Sequence, residues 1–387
     1  MKLLHLSDLH LGRELLGFNL NEDQKYILAR IIELIDHDGI DAVLIAGDVY
    51  DKSQPSEGAV NLLNGFLNEL CRRGIKVFII SGNHDSDDRL NFGSEVFRNS
   101  GIYISSVFDG TLPMQTLNDE YGELDIYMLP FIKASYVRHY FPNAKIETYD
   151  DAVRTVIGTV KPDPSRRSVI LAHQFVVSDG CNPITAGSEG SEVRSASVGT
   201  VESIGFHCFD AFDYAALGHI HSPQAIGRDT VRYSGSPLKY SLSEALNEKT
   251  VPVITMAGKG SVSIELVPLK PMRELRHIQG PFMELANPAN AENTDDFIYA
   301  TLTDEETIDD AMNSIQKVYP NTLHIDYDNS RTRNAENVDL SSLSEVQQFP
   351  DLIKDFYQHI YKCEIPDEEL SYILELAKEA EIYHEAD

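Results

Sequence analysis

Short apolar runs recur through the first 280 positions, at 2–6, 42–46, 77–80, 169–172 and 214–217, without the polar alternation of a half-exposed strand. Such runs predict strands buried on both faces. Between several of them apolar positions recur at helical spacing, which predicts helices over 23–37 (YILARIIELI, with Asn21 placed to cap it), 57–73 and 150–160. Strand and helix in alternation predict an α/β core with helices outside the sheet. From 175 to 207 the pattern gives way to Gly and Ser (SDGCNPITAGSEGSEVRSASVGTVESIG), too long for an ordinary connection and read as an active-site or binding loop. Beyond Pro271, strand-like pieces (FIYATL, TLHIDY) surround an expected helix at 306–318, a separate small α+β unit. After Asn337 two helix-like segments follow, 343–362, interrupted near Pro350, and 367–384, opening at Pro366. The expected organisation is a main domain over 1–271, a small unit over 272–336 and terminal helices over 337–387.

At 42% hydrophobic and 24% charged, the 387-residue chain has the composition of a folded protein despite a net charge of −29. That charge is uneven, because residues 281–387 hold 25 Asp and Glu against 6 Lys and Arg, while residues 1–280 hold 36 against 26. An acidic chain is a poor generic nucleic-acid binder, since phosphate contacts need clustered cations. No apolar run is long enough to span a membrane, and the opening MKLLHLSDLH carries Asp and His where a signal peptide is unbroken. A soluble, cytoplasmic protein without membrane contact is expected. Cys71, Cys181, Cys208 and Cys363 lack both CxxC spacing and disulfide-scaffold density, so free thiols are expected.

Each of the five apolar runs ends in metal-ligand chemistry: Asp8 and His10; Asp48, within GDVYD; Asn83 and His84, within GNHD; His173; His219 and His221, within GHIH. In open α/β sheets, ligands gather at the carboxyl ends of strands. Oxygen and imidazole donors without thiolate suit a catalytic site for Mn, Fe or Zn rather than a structural Zn site. Taken singly, each cluster has a plain alternative. Asp8-x-His10 reads as a surface turn, GDVYD as a turn with a helix cap, GNHD as a turn, GHIH as two strand histidines, and His173 as a core histidine. Asp85 reads as the cap of the helix that follows. No GxSxG or GxxxxGK[ST] occurs, so neither a serine hydrolase nor a phosphate-loop ATPase is supported.

Together and in order, D-x-H, GD-x-x-D, GNHD, H and G-H-x-H resemble the calcineurin-like metallophosphoesterase superfamily over about residues 1–240. MKLLHLSDLHLG, AGDVYDKSQPS, SGNHDS, ALGHIHSPQ and YSGSPLKYSLSE are similar to the bacterial SbcD-type nucleases, the exonuclease D subunits of SbcCD complexes. The resemblance implies a four-layer α/β/β/α sandwich, a small α+β capping domain that positions DNA, and C-terminal helices that bind the SbcC ATPase. It implies two divalent ions, Mn2+ by expectation. Asp8, His10, Asp48 and His221 would hold one, and Asp48, Asn83, His173 and His219 the other, with Asp48 shared. His84 would contact the scissile phosphate or protonate the leaving oxygen, and Asp51 would orient it, unless Asp51 only caps a helix.

The partners so implied are an SbcC-type ATPase in a heterotetramer, and DNA ends and hairpins, with room for a homodimer. Arg13, Lys52, Arg89, Arg138 and Lys239 are the candidate DNA-facing cations. In 367–384, Leu370, Ile373, Leu374, Ala377 and Ala380 form one apolar face, suited to a partner or to the helix's own domain. The expected activity is a double-strand exonuclease and hairpin or single-strand endonuclease in DNA repair, recombination and replication. A phosphomonoesterase or cyclic-nucleotide phosphodiesterase on the same core, and a non-catalytic scaffold, are the other classes.

Overall fold

The computed structural model describes residues 1–185, 202–330, 350, 353–354, 357 and 365–379. Within these, one six-stranded sheet has the order Val262–Pro268, Thr250–Met256, Lys2–Leu6, Ala42–Ala46, Lys76–Ile80, Ile102–Ser105. The last four strands run parallel, and the first two pair antiparallel at one side. A second six-stranded sheet has the order Gln224–Ile226, Arg228–Tyr233, Tyr214–Gly218, Arg167–His173, Gly122–Met128, Met114–Asp119, four parallel strands with an antiparallel strand at each edge.

Side-chain alternation stacks the layers. Ala42, Leu44 and Ala46 point into a core shared with Leu124, Ile126, Val169 and Leu171 of the second sheet. Val43 and Ile45 point the other way, onto Ile27 and Ile31 of the helix Asn21–Asp38 and Leu63 and Phe66 of the helix Glu57–Arg72. On the outer face of the second sheet, Ile170 and Leu217 meet Val153 and Val156 of the helix Tyr149–Ile157. The result is the expected four-layer α/β/β/α sandwich, with parallel strands buried on both faces.

Local chemistry sets the helix ends. Ser56 caps Glu57–Arg72 through the Ala59 N–H, and Thr148 with Asp151 forms a capping box on Tyr149–Ile157. Asn21 is no cap, because Leu20 holds the cap position and Asn19 Oδ1 accepts from the Asn21 N–H at 2.9 Å. The helix expected at 306–318 is only Ala311–Gln316, entered through a left-handed Asp310 after an acidic run.

Leu275–Gly280, Phe297–Leu302 and Thr322–Tyr327 form a three-stranded sheet. Packing is continuous across residue 271, because Leu275, Phe297 and Leu323 join the core beside the Asn21–Asp38 helix, and Arg273 pairs with Asp23 there. Met283–Ala300 and Asp310–Ile325 belong to the same compact unit as Met1–Gln279. The second unit takes Gly280–Phe282, Thr301–Asp309 and the described residues from 326 onward. The terminal helix is Asp367–Glu379. Most of the expected 343–362 helix, residues 186–201 of the Gly/Ser loop, Ala380 and Cys363 lie outside the described residues. Cys71, Cys181 and Cys208 are free thiols. No described helix is long and apolar enough to cross a membrane.

Candidate metal centre

The strands Lys2–Leu6, Ala42–Ala46, Lys76–Ile80, Arg167–His173 and Tyr214–Gly218 carry the clusters at or just beyond their last residues. Their carboxyl ends converge. Ligand atoms of Asp8, His10 and His221 lie within 4.8 Å of one another, as do those of Asp8, Asp48 and His173, and all of these residues are buried. Asp48 Oδ2 is 3.6 Å from His10 Nε2 and 3.3 Å from His173 Nε2, within reach of both groups. Asn83 Oδ1 lies 3.1 Å from His173 Nε2 and 3.0 Å from His219 Nδ1. All seven expected ligand residues therefore meet at one rim, where Asp8 belongs to both groups and Asp48, of the second, approaches His10 of the first.

The backbone is bent to achieve this. Asp8, His10, Asp48 and His219 have φ of 50°, 42°, 48° and 100°, four of the seven positive-φ non-glycine residues described. Left-handed conformations cost about 1–3 kcal/mol each for such residues and persist where the surroundings over-determine them. Gly82 is required by close approach, since a Cβ there would stand 2.1 Å from Asp48 Oδ1. Gly47, at φ 87°, would drive a Cβ to 2.3 Å from His173 Nδ1.

Hydrogen bonds aim the carboxylates. Asp8 accepts from the His219 main-chain N–H at 3.0 Å and from the Ser7 hydroxyl, itself 2.7 Å from Ser234 Oγ. Asp48 Oδ1 accepts from the His84 N–H at 2.9 Å. Asp85, expected as a helix cap, instead clamps two loops: its carboxylate accepts from the main-chain N–H of Gly82 at 2.9 Å, Val49 at 3.1 Å and Tyr50 at 2.9 Å. Sequence reading missed this because the partners Val49 and Tyr50 lie about 35 positions away.

Burial and the neighbouring charges act on these groups in different directions. Burial pushes the Asp8 carboxyl up. Burial works against ionised Asp48 as well, but the imidazoles of His173 and His10 more than offset it and hold its carboxyl well below the usual range. Burial also opposes a charge on His173, yet Asp48 and Asp8 raise it to about 9. Burial, aided by the charge of His173, lowers His219 to about 3. Burial keeps His10 far below the usual imidazole value. Two buried carboxylates beside several imidazoles make a site suited to cations.

Asp51 behaves differently from the resemblance. His84 Nδ1 is 3.0 Å from the main-chain oxygen of Asp51, not its carboxylate. The carboxylate turns to Arg13, whose Nη1 donates to Oδ1 at 2.7 Å, and lies 3.6 Å from His10 Nδ1. Three of the candidate DNA-facing cations have internal partners. Besides Arg13, Arg138 donates to the Ile146 carbonyl, and Lys239 donates to the Ala245 carbonyl and pairs with Glu274. Lys52 and Arg89 are exposed.

The donor set fits a pair of divalent ions. It offers carboxylate, amide and imidazole donors without thiolate. Imidazole nitrogens of His10 and His221 face each other at 3.1 Å, and His10 Nδ1 is buried without a hydrogen bond.

The calcineurin-like phosphoesterase family model matches residues 1–223. A second model, SbcD_C, described as the type 5 capsule protein repressor C-terminal domain, matches residues 271–361. Among solved structures, a dimetal phosphatase from Danio rerio is similar over 70% of this chain and 99% of its own, at 9% identity and a TM-score of 0.38. The two matched domains, in this order, are those of the SbcD type that the sequence resembles. With the first match covering more than half of the chain, the protein belongs to the calcineurin-like phosphoesterase family.

Proposed function

We propose that this metal-dependent phosphoester hydrolase is a DNA nuclease subunit that cleaves phosphodiester bonds at double-strand ends and hairpins, working with an SbcC-type ATPase in the cytoplasm. The observation that carries the reading is the SbcD_C match at residues 271–361, following a calcineurin-like phosphoesterase match whose residues include two buried carboxylate–imidazole groups. Hydrolysis of a small phosphomonoester or cyclic nucleotide on the same core leaves that region without a task.

When bound, two ions, Mn2+ on this reading, acidify a water and neutralise the phosphoryl oxygens during in-line displacement. Asp8, His10 and His221 would hold one ion, and His173, Asn83 and His219 the other, with Asp48 and Asp8 in reach of both. His84 is the proton carrier. Donation from Nδ1 to the Asp51 carbonyl fixes the ring and leaves Nε2 for the scissile phosphate or the leaving oxygen. Exposed Lys52 and Arg89, next to the GDVYD and GNHD motifs, supply local phosphate contacts that an acidic chain otherwise lacks. Residues 272–336 would cap the DNA and residues 337–387 would bind the ATPase in a heterotetramer. Phe92 and Val96, 83% and 70% exposed on the segments after His84, favour pairing of two copies.

The test is Mn2+-dependent cleavage of linear and hairpin duplexes by the full chain, with and without the ATPase. Cleavage of both, stimulated by ATP only with the partner, is expected. Turnover of phosphomonoesters or cyclic nucleotides with intact DNA would replace this reading by the small-substrate one.

A further inference from the structure

The histidines of the two clusters lean on different oxygen atoms. His173 turns Nε2 into the site and Nδ1 to a neutral main-chain oxygen, Ala46 O at 2.7 Å. His10 and His221 meet through Nε2 at 3.1 Å, and each has a buried carboxylate behind its Nδ1. For His10 this is Asp51 Oδ1 at 3.6 Å, an electrostatic contact longer than a hydrogen bond, and for His221 it is Glu244 Oε1 at 3.5 Å. A cation holds each carboxylate. Arg13 donates to Asp51 at 2.7 Å, and Lys249 pairs with Glu244 in full burial. Lys249 also donates to the His221 carbonyl at 2.9 Å and to Ser236 Oγ at 2.8 Å, while the Tyr240 N–H donates to Glu244 Oε1 at 3.0 Å. A buried carboxylate and ammonium with this many partners are fixed in place.

We infer that Arg13–Asp51–His10 and Lys249–Glu244–His221 are paired positioning relays that make the Asp8/His10/His221 position the tighter of the two ion sites, the one filled first. The inference rests on the two-ion reading above. A carboxylate facing the outer nitrogen of a ligating imidazole within ion-pair distance draws the ring proton to Nδ1, so that Nε2 carries the lone pair, and strengthens it as a donor. A neutral carbonyl fixes the tautomer with less polarisation. The cation behind each carboxylate holds it in place and aimed at the imidazole. Asp51 and Glu244 thus act through a histidine and touch no substrate.

The experiment is a Mn2+ titration of the full chain by calorimetry, with electron paramagnetic resonance to follow the bound ion, before any DNA is added. The wild-type chain should take up two ions in separable steps. Asp51→Asn and Glu244→Gln should each weaken the first step by about 10- to 100-fold, as loss of such a support does, and leave the second step unchanged. Glu244→Gln strands a buried ammonium, so Glu244→Gln/Lys249→Met gives the same reading without that charge. Glu244→Asp, which keeps the carboxylate, should recover part of the loss. Equal weakening of both steps, or unchanged affinity in Asp51→Asn, would overturn the relays. Fewer than two ions on the wild-type chain would overturn the two-ion reading beneath them.

Discussion

The rim of the two sheets and the C-terminal helix depart from ordinary protein chemistry in opposite directions. At the rim, Asp8, Asp48 and His173 are buried, although charged and titratable groups belong at the surface unless paired. On Asp367–Glu379, Tyr372 is 63% and Leu376 45% exposed, and Ile373 is exposed as well. Buried charge without enough counter-charge asks for cations. Exposed apolar side chains clustered on one helix ask for another surface. The rim is braced by strained backbone and clamped carboxylates, whereas the helix carries its message in side chains alone. Damage to the first should therefore reach chemistry and folding together, and damage to the second should reach only association.

The largest expected effect is at Asp48, whose Oδ2 reaches histidines of both clusters. Asp48→Asn should abolish hydrolysis and lower bound metal at both positions. Two ions retained with normal turnover would remove Asp48 from its shared place and, with it, the picture of a rim assembled around one charge. Next is Asp85. Asp85→Ala strands the N–H groups of Gly82, Val49 and Tyr50, and each buried unsatisfied donor costs about 1–3 kcal/mol. Melting should show a loss of at least about 2 kcal/mol and metal content should fall, although Asp85 is no expected ligand. A stable variant with full metal content would show that the clamp is dispensable.

His84 separates chemistry from construction within the rim. His84→Gln should keep the fold, two ions and most DNA binding, while the cleavage rate falls by about 10² to 10⁴-fold, the usual contribution of a general acid or base. Loss of both ions instead would make His84 a ligand.

Much of the rim was legible because each apolar run stops at its ligand, so the strand end and the chemistry are one local signal. What was not legible depends on distant partners. Asp85 and Asp51 look like helix caps beside their neighbours, and only the assembled loops turn one carboxylate onto Val49 and Tyr50 and the other onto Arg13 and His10. Glu244, within YSLSE, looks like a surface acid until Lys249 and His221 close around it. Thr250–Met256 hides as a strand because Pro252 interrupts it, yet its ladder to Lys2–Leu6 runs only from Val253 to Thr255 and needs no N–H from Pro252. Among the described residues Val262–Pro268 pairs only with that strand at the sheet edge, and its residues are exposed or half-buried throughout, so it carries no unbroken apolar run.

The smallest effect on the isolated chain is expected on the C-terminal helix, and it tests the comparison most directly. The sequence predicts one apolar face through Leu370, Ile373, Leu374, Ala377 and Ala380. In the structure Leu370 and Leu374 are half-buried and Ile373 is exposed. A face packed firmly on its own unit would be buried throughout. Leu374→Asp sets a charge in the middle of that stripe. Because only part of the leucine is withdrawn from water, melting of the isolated chain should shift by no more than about 1 kcal/mol, and Mn2+-dependent hydrolysis should be unchanged. If a partner covers this helix, the same charge becomes fully buried without a counter-ion, and association with the ATPase should fail. A large drop in melting of the isolated variant would mean that the helix serves its own unit. An unchanged complex would sink the docking assignment, and the exposed Tyr372, Ile373 and Leu376 would then be an ordinary surface rather than the counterpart of the buried charges at the rim.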